Sequence, residues 1–205
     1  MRYPIPDLVP GAWQECVLEV EKSRFITWLS HIPDVTAFES LLTEARRCHP
    51  GASHHCTAFI AGPPGEQAAI GFSDDGEPGG TAGRPMYRVL EGSGLGKVGC
   101  VVTRYFGGTK LGTGGLARAY AQAVAQALES LPRREVVERS PLHLKVDFAG
   151  EAEARAWLGE QGIPVEAADY AAEGVTLKAG WPIDTPVELS ELASRLRGRL
   201  SLLDE

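Results

Sequence analysis

The chain has 205 residues, 43% of them apolar and 23% charged, with a formal net charge of −7. That length can bury one large core or two small ones, and the charge argues against nonspecific adhesion to nucleic acid or anionic membrane as a property of the whole surface. No run approaches the ~20 apolar residues of a membrane span, and the opening MRYPIPDLVPG lacks a signal-peptide apolar core, so a cytoplasmic protein with no membrane partner is expected.

In chain order, WQECVLEVEKSRFITWLSHI (Trp13 to Ile32) reads as two strands or one long hairpin. Thr36 and Glu39 can form a capping box for a helix carrying Phe38, Leu41, Leu42, Ala45 and Cys48 on one face, ended by Pro50-Gly51. HHCTAFIAG is a strand, and AAIGFSDD is expected to pair with it across PPGEQ. RPMYRVLEGSG suits a short helix, and KVGCVVTRYF suits a buried strand. A helix from about Leu116 to Leu128 follows, with alanine at every second position from 117 to 127. Small side chains nearly all round imply close packing against a sheet and a neighbouring helix.

Composition shifts at LPRREVVERSP, so residues 1–131 are expected as one domain, 132–141 as a linker and 142–205 as a second domain. The acidity concentrates in the last part: residues 142–205 hold 6 basic and 12 acidic side chains, and the rest hold 14 and 15. LHLKVDF alternates Leu142, Leu144, Val146 and Phe148 on one strand face. GEAEARAWLGEQG reads as a helix closed by Gly162, and two short strands follow around Glu173-Gly174. A last helix is expected from Thr185 as N-cap, with Pro186 first and Glu188 completing a capping box. Its stripe is Leu189, Leu192, Ala193, Leu196 and Leu200, and a short final strand is possible after it. The order βαββα, with that strand, points to an α+β ferredoxin-like domain.

Chemistry concentrates in three polar stretches. The first, RYFGGTKLGTGGLARAY (Arg104 to Tyr120), lies between a buried strand and a helix N-terminus. Its glycines permit backbone N–H groups to converge on an anion, helped by the helix dipole. Gly112, Gly114 and Gly115 shape the site; Thr109, Lys110 and Thr113 supply donors; Arg104 and Arg118 add charge. Gly114 is expected to require positive φ or close backbone approach. No Asp or Glu occurs between Glu91 and Glu129, while Lys97, Arg104, Lys110 and Arg118 do, so this window is locally +4. The lysine lies inside the loop rather than after the second glycine, which excludes a Walker phosphate loop. A plain tight turn is the alternative.

The second stretch is SDDGEPGGTAGRPM, where Asp74, Asp75 and Glu77 precede Thr81 and Arg84. Three carboxylates in four residues can orient a water or a metal. The spacing fits no EF-hand, and adjacent aspartates on an extended segment face opposite ways. The favoured reading is therefore a turn whose acids cap N–H groups and pair with Arg84, with no metal. The third, CHPGASHHC, has no zinc spacing, and His54 or His55 is expected beside the two loops as a hydrogen-bonding residue. No metal or other cofactor is expected. The four cysteines, with no C-x-x-C pair, are expected as reduced thiols half-buried on strands.

Together KSRF (Lys22 to Phe25), ASHHC (Ala52 to Cys56), SDDGEPGGTAGRP (Ser73 to Pro85) and RYFGGTKLGTGGLARAY, in this order and spacing, resemble the IMPACT (YigZ) family. The resemblance implies two α/β domains. The first is similar to the βαβ domain shared by a small-subunit ribosomal protein and the GHMP kinases, the second to the last domain of elongation factor G. Eukaryotic members are regarded as translation regulators that compete for an activator of a starvation-responsive kinase. They carry a different accessory domain, so that role is not expected to transfer.

Three functions follow as expectations. The first is a translation-associated module that binds RNA or ribosomal components through the basic glycine loop, with Tyr105 or Phe106 stacking on a base. The second is an enzyme, a hydrolase or transferase acting on a phosphorylated small molecule or peptide through Asp74, Asp75, Glu77 and His54. No activated nucleophile supports that one. The third is a regulator that binds a partner protein without an anion site.

Overall fold

The computed structural model of the protein describes residues 1–66 and 69–203. Gln67 and Ala68, expected at the end of the PPGEQ connection and the start of the next strand, lie outside the described residues. The chain divides into two compact units, one of Tyr3–Val136 and one of Met1–Arg2 with the chain from Val137 onward.

In the first unit the elements are β1 (Arg2–Pro6), β2 (Trp13–Val20), β3 (Ser23–His31), α1 (Val35–Cys48), β4 (His54–Ile60), β5 (Ile70–Ser73), α2 (Gly83–Gly92), β6 (Val98–Tyr105), α3 (Gly112–Glu129) and β7 (Arg133–Val137). Five strands form an antiparallel sheet in the order β2-β3-β6-β4-β5. The β2–β3 hairpin turns on Glu21 and Lys22, both at positive φ (47° and 66°), the primed geometry whose twist matches the strands. β6 is the central strand, buried along its length up to Tyr105, which explains its valine-rich run.

Alternation along the strands gives the sheet two apolar faces. One packs on α1 through Ile26, Trp28, Phe38, Leu41 and Val101. The other packs on α2 and α3 through Phe25, Leu29, Cys56, Met86, Val102, Tyr120 and Val124. The alanines of α3 allow this closeness: Ala119, Ala123 and Ala127 are buried. Several expectations are corrected in detail. Asp34, not Thr36, caps α1, accepting from the Ala37 N–H at 2.8 Å. Cys48 sits exposed on α1, while Cys56 and Cys100 are fully buried strand thiols. The proline-broken N-terminus forms β1 and pairs with β7 as a two-stranded ribbon.

The other unit contains β8 (Arg139–Val146), α4 (Glu151–Glu160), β9 (Val165–Ala171), β10 (Gly174–Pro182), α5 (Ser190–Arg195) and β11 (Leu200–Leu203). Its antiparallel sheet has the order β11-β8-β10-β9, the ferredoxin-like arrangement expected from βαββα plus a last strand. The sheet packs on the two helices through Leu144, Val146, Trp157, Leu158, Leu177 and Leu192. Gly162, at φ 67°, closes α4 as expected. The stretch 132–141, expected as a linker, holds β7 and the first residues of β8. Phe148 lies past the end of β8 and is 55% exposed. The last helix is shorter than its capping pattern implied. Thr185 instead closes a turn, donating its N–H to the Pro182 carbonyl and accepting from Trp181 Nε1, so α5 starts only at Ser190.

Candidate functional site

The glycine loop begins where β6 leaves the sheet. Gly107 lies directly on the β2–β3 turn: a Cβ there would be 2.0 Å from the Lys22 carbonyl carbon and oxygen and 2.5 Å from the Ser23 nitrogen. No side chain fits. Gly108 and Gly112 then adopt left-handed φ values of 88° and 69°, a region costly for other residues. The helix starts earlier than its apolar pattern suggests. Thr113, Gly114 and Gly115 form the first turn of α3, and Arg118 follows in the second. Gly114 is thus corrected: it is helical, and the nearest atom to an added Cβ is the Arg118 side chain at 3.4 Å. The close approach falls on Gly107 instead.

No side chain caps α3, and its first turn contains no acid. Its first N–H groups therefore remain open to an acceptor. Thr109, Lys110, Thr113 and Arg118 are all exposed around this end. Neither Lys110 nor Arg118 forms an ion pair among the described residues.

The acidic glycine loop is built the opposite way. Asp75 and Gly76 both have positive φ (43° and 88°), and the turn closes when the Glu77 N–H bonds to the Asp74 carbonyl at 2.9 Å. The expected extended segment is corrected: β5 ends at Ser73, and the two aspartates take different partners because the chain turns at Asp75. Asp74 accepts from the N–H groups of Gly80 at 2.7 Å, Gly83 at 2.8 Å and Ala82 at 2.9 Å, tying the loop to the start of α2. Burial alone would raise its carboxyl; the three donors outweigh burial and hold it below the usual carboxylate range. Asp75 accepts from the His55 N–H at 2.6 Å and meets Arg46 at 3.3 Å. The expected partner Arg84 is exposed on α2 and has no ion pair among the described residues. Thr81 donates to the Pro78 carbonyl within its own loop.

Glu77 takes a different course. Its residue is 8% exposed, and its Oε1 accepts from Arg104 Nη1 at 2.6 Å and from the Tyr120 hydroxyl at 2.8 Å. Arg104 also donates to Ser23 Oγ at 3.2 Å, and the same oxygen receives the Gly107 N–H at 3.3 Å. Arg104 was expected at a phosphate; its guanidinium is instead buried against Glu77, where it locks β6 to the acidic loop. His54 Nδ1 lies 2.8 Å from the Asp75 carbonyl, and its Nε2 is 3.8 Å from Glu77 Oε2. Cys56 donates to the Tyr120 hydroxyl at 3.3 Å. Burial pushes its thiol up to about 12, so it stays protonated and is not an activated nucleophile.

The two glycine stretches share one pocket of about 380 Å³. Glu77 and Pro78 line it from the acidic loop, and Arg104, Phe106 and Lys110 to Thr113 from the basic one, with Leu116 from α3. A second groove of about 460 Å³ runs along the other side of Lys110, between Arg118 and Glu21. Of the three carboxylates in the acidic loop, only Glu77 lines the shared pocket. Asp74 and Asp75 act as backbone clamps. Sequence reasoning missed Ser23 and Tyr120. The signal available was a small hydroxyl between two charged residues in KSRF, and the single aromatic of the alanine-rich helix.

A family model described as the Impact N-terminal domain matches residues 21–128. That span covers more than half of the chain and all of this pocket. The chain belongs to the IMPACT family. It is 42% identical over 197 residues to "IMPACT family member YigZ" of Escherichia coli, covering 96% of each chain. It is 35% identical to "IMPACT family member YvyE" of Bacillus subtilis, covering 84% of this chain and 75% of that one. A crystal structure described only as that of a hypothetical protein is 41% identical, covers 98% of this chain and 96% of its own, and superposes with a TM-score of 0.71. The IMPACT assignment therefore rests on both units, while the motifs that build the pocket lie in the first.

Proposed function

We propose that this IMPACT-family protein is a translation-associated regulator that binds RNA, or an RNA-bearing ribosomal surface, at the open start of α3. The observation that carries this reading is the asymmetry of charge there. Lys110 and Arg118 stand exposed, unpaired among the described residues, beside an uncapped helix N-terminus, within a stretch free of acidic residues. Cations near a helix N-terminus are unfavourable unless an anion joins them. The half-exposed ring of Phe106 adds a stacking surface beside these donors. The enzyme reading loses support because Asp74 and Asp75 are engaged with backbone N–H groups and Arg46.

The test is anisotropy of a labelled single-stranded RNA across a potassium chloride series. Affinity should fall steeply with salt, with a slope reduced by about one when Lys110 or Arg118 is changed to alanine. Binding that ignores salt, or two variants that bind like the parent, would overturn the proposal.

A further inference from the structure

The shared pocket has features that a groove for a phosphate backbone does not need. It is large enough, at about 380 Å³, for one small ligand. Its walls are apolar at Pro78, Leu111 and Leu116, and Phe106 is 50% exposed with the Arg104 guanidinium carbon 5.6 Å from its ring centre. Its buried end holds Glu77, whose side chain is only 3% exposed. Oε1 of that carboxylate is engaged by Arg104 and Tyr120. Oε2 makes no hydrogen bond among the described residues; the His54 Nε2 lies 3.8 Å from it. On a carboxylate that lines the pocket, this oxygen is free to accept a ligand N–H.

Resting on the RNA-binding reading, we infer that this pocket holds a single nucleotide of the bound strand, with its base on Phe106, its phosphate at the start of α3 and an exocyclic amino group donated to Glu77. The three requirements match the three surfaces. The flat apolar part of a base covers Phe106, Leu111 and Leu116. Its phosphate meets Lys110 and the N–H groups of Gly112 and Thr113. Its amino group meets the free oxygen of Glu77, whose charge is already balanced by Arg104, so the pocket end does not repel the phosphate strongly. Glutamate accepts well from base amino groups. Uracil carries none. Its ring N–H is flanked by two carbonyl oxygens that meet the carboxylate with like partial charge. Adenine and cytosine should therefore be preferred to uracil.

The experiment compares eight-nucleotide oligoadenylate, oligocytidylate and oligouridylate by anisotropy at fixed salt. Oligouridylate is expected to bind about tenfold more weakly than the other two. Phe106→Ala should weaken all three about tenfold, whereas Phe72→Ala, an equally exposed aromatic outside the pocket, should change none. Glu77→Gln should erase the preference against oligouridylate. Because that variant leaves Arg104 without its counter-charge, its folding is checked by circular dichroism, and amide shifts of the parent give an independent measure. Adenosine monophosphate should move the signals of Phe106, Lys110 and Thr113, with uridine monophosphate and inorganic phosphate moving only Lys110 and Thr113. Equal affinity for the three strands with no effect of Phe106→Ala overturns the pocket. If Lys110→Ala still weakens those strands, the RNA reading survives that failure; if no strand binds at all, both fall.

Discussion

The two glycine-rich stretches of the first unit look alike in composition and differ in how their charges are used. In the acidic stretch every carboxylate has a partner inside the protein: Asp74 holds three N–H groups, Asp75 holds His55 and Arg46, and Glu77 holds Arg104 and Tyr120. In the basic stretch Lys110 and Arg118 hold nothing among the described residues, and the helix end beside them has no side-chain cap. The first stretch is therefore a scaffold and the second is a surface. Glycine serves both, but for different reasons. Gly83 and Gly107 admit neighbouring backbone at distances no Cβ tolerates, while Gly114 meets only a flexible side-chain end.

Substitutions can break this contrast, and the largest effect should come at Gly107. Gly107→Ala forces a Cβ into the Lys22–Ser23 peptide and should destabilise the protein by ~3 kcal/mol, the upper range for overpacking. Denaturant unfolding of that variant measures it, and a midpoint equal to the parent's would mean the turn and loop move apart freely.

Asp74→Ala comes next. It removes the acceptor of three N–H groups at the start of α2 and should cost ~2 kcal/mol at neutral pH. The sign of its pH dependence follows from the lowered carboxyl. The folded state holds the ionised form more tightly, so the stabilisation is fully present above the ordinary value of 3.8. It fades as pH falls below that value toward the depressed one. Parent and variant should converge in acid; a gap that stays constant from pH 7 to pH 2.5 would show that the carboxylate charge is not what holds the loop.

Lys110→Ala and Arg118→Ala should leave the unfolding midpoint where it is, because neither side chain has an ion pair among the described residues to lose, while each weakens RNA binding severalfold. A loss of stability in either variant would move that residue to the scaffold side of the comparison. Smallest is Gly114→Ala. The position is helical and open, so the variant should gain up to ~1 kcal/mol from helix propensity. Destabilisation there would reveal a constraint that the backbone geometry does not contain.

Much of the fold was legible because it is written in local pattern. The Trp13–Ile32 hairpin, the buried valines of β6 and the alternation of Leu142, Leu144 and Val146 each follow from a period that one strand must satisfy. Caps were less legible. Asp34 and Thr36 both suit the start of α1, and only the folded chain shows which side chain reaches the Ala37 N–H. Thr185 had the right neighbours for a cap, yet the turn that accepts Trp181 Nε1 uses it otherwise. In the site, the acid-free window around Lys110 could be read directly, whereas the separate roles of Asp74 and Asp75 follow from a turn and not from strand alternation. The burial of Arg104 could not, since its partners Glu77, Ser23 and Tyr120 come from three other segments.

The sequence by itself determined most of the strands and helices, the family and the two glycine stretches, because these rest on spacing along the chain. Only the tertiary structure decided which charges are free. An ion pair forms between residues that pack together, whatever their separation in sequence, and Glu77 meets Arg104 across 27 positions. That pairing turned one expected phosphate ligand into a buried strut, and left Lys110 and Arg118 as the exposed charges of the loop.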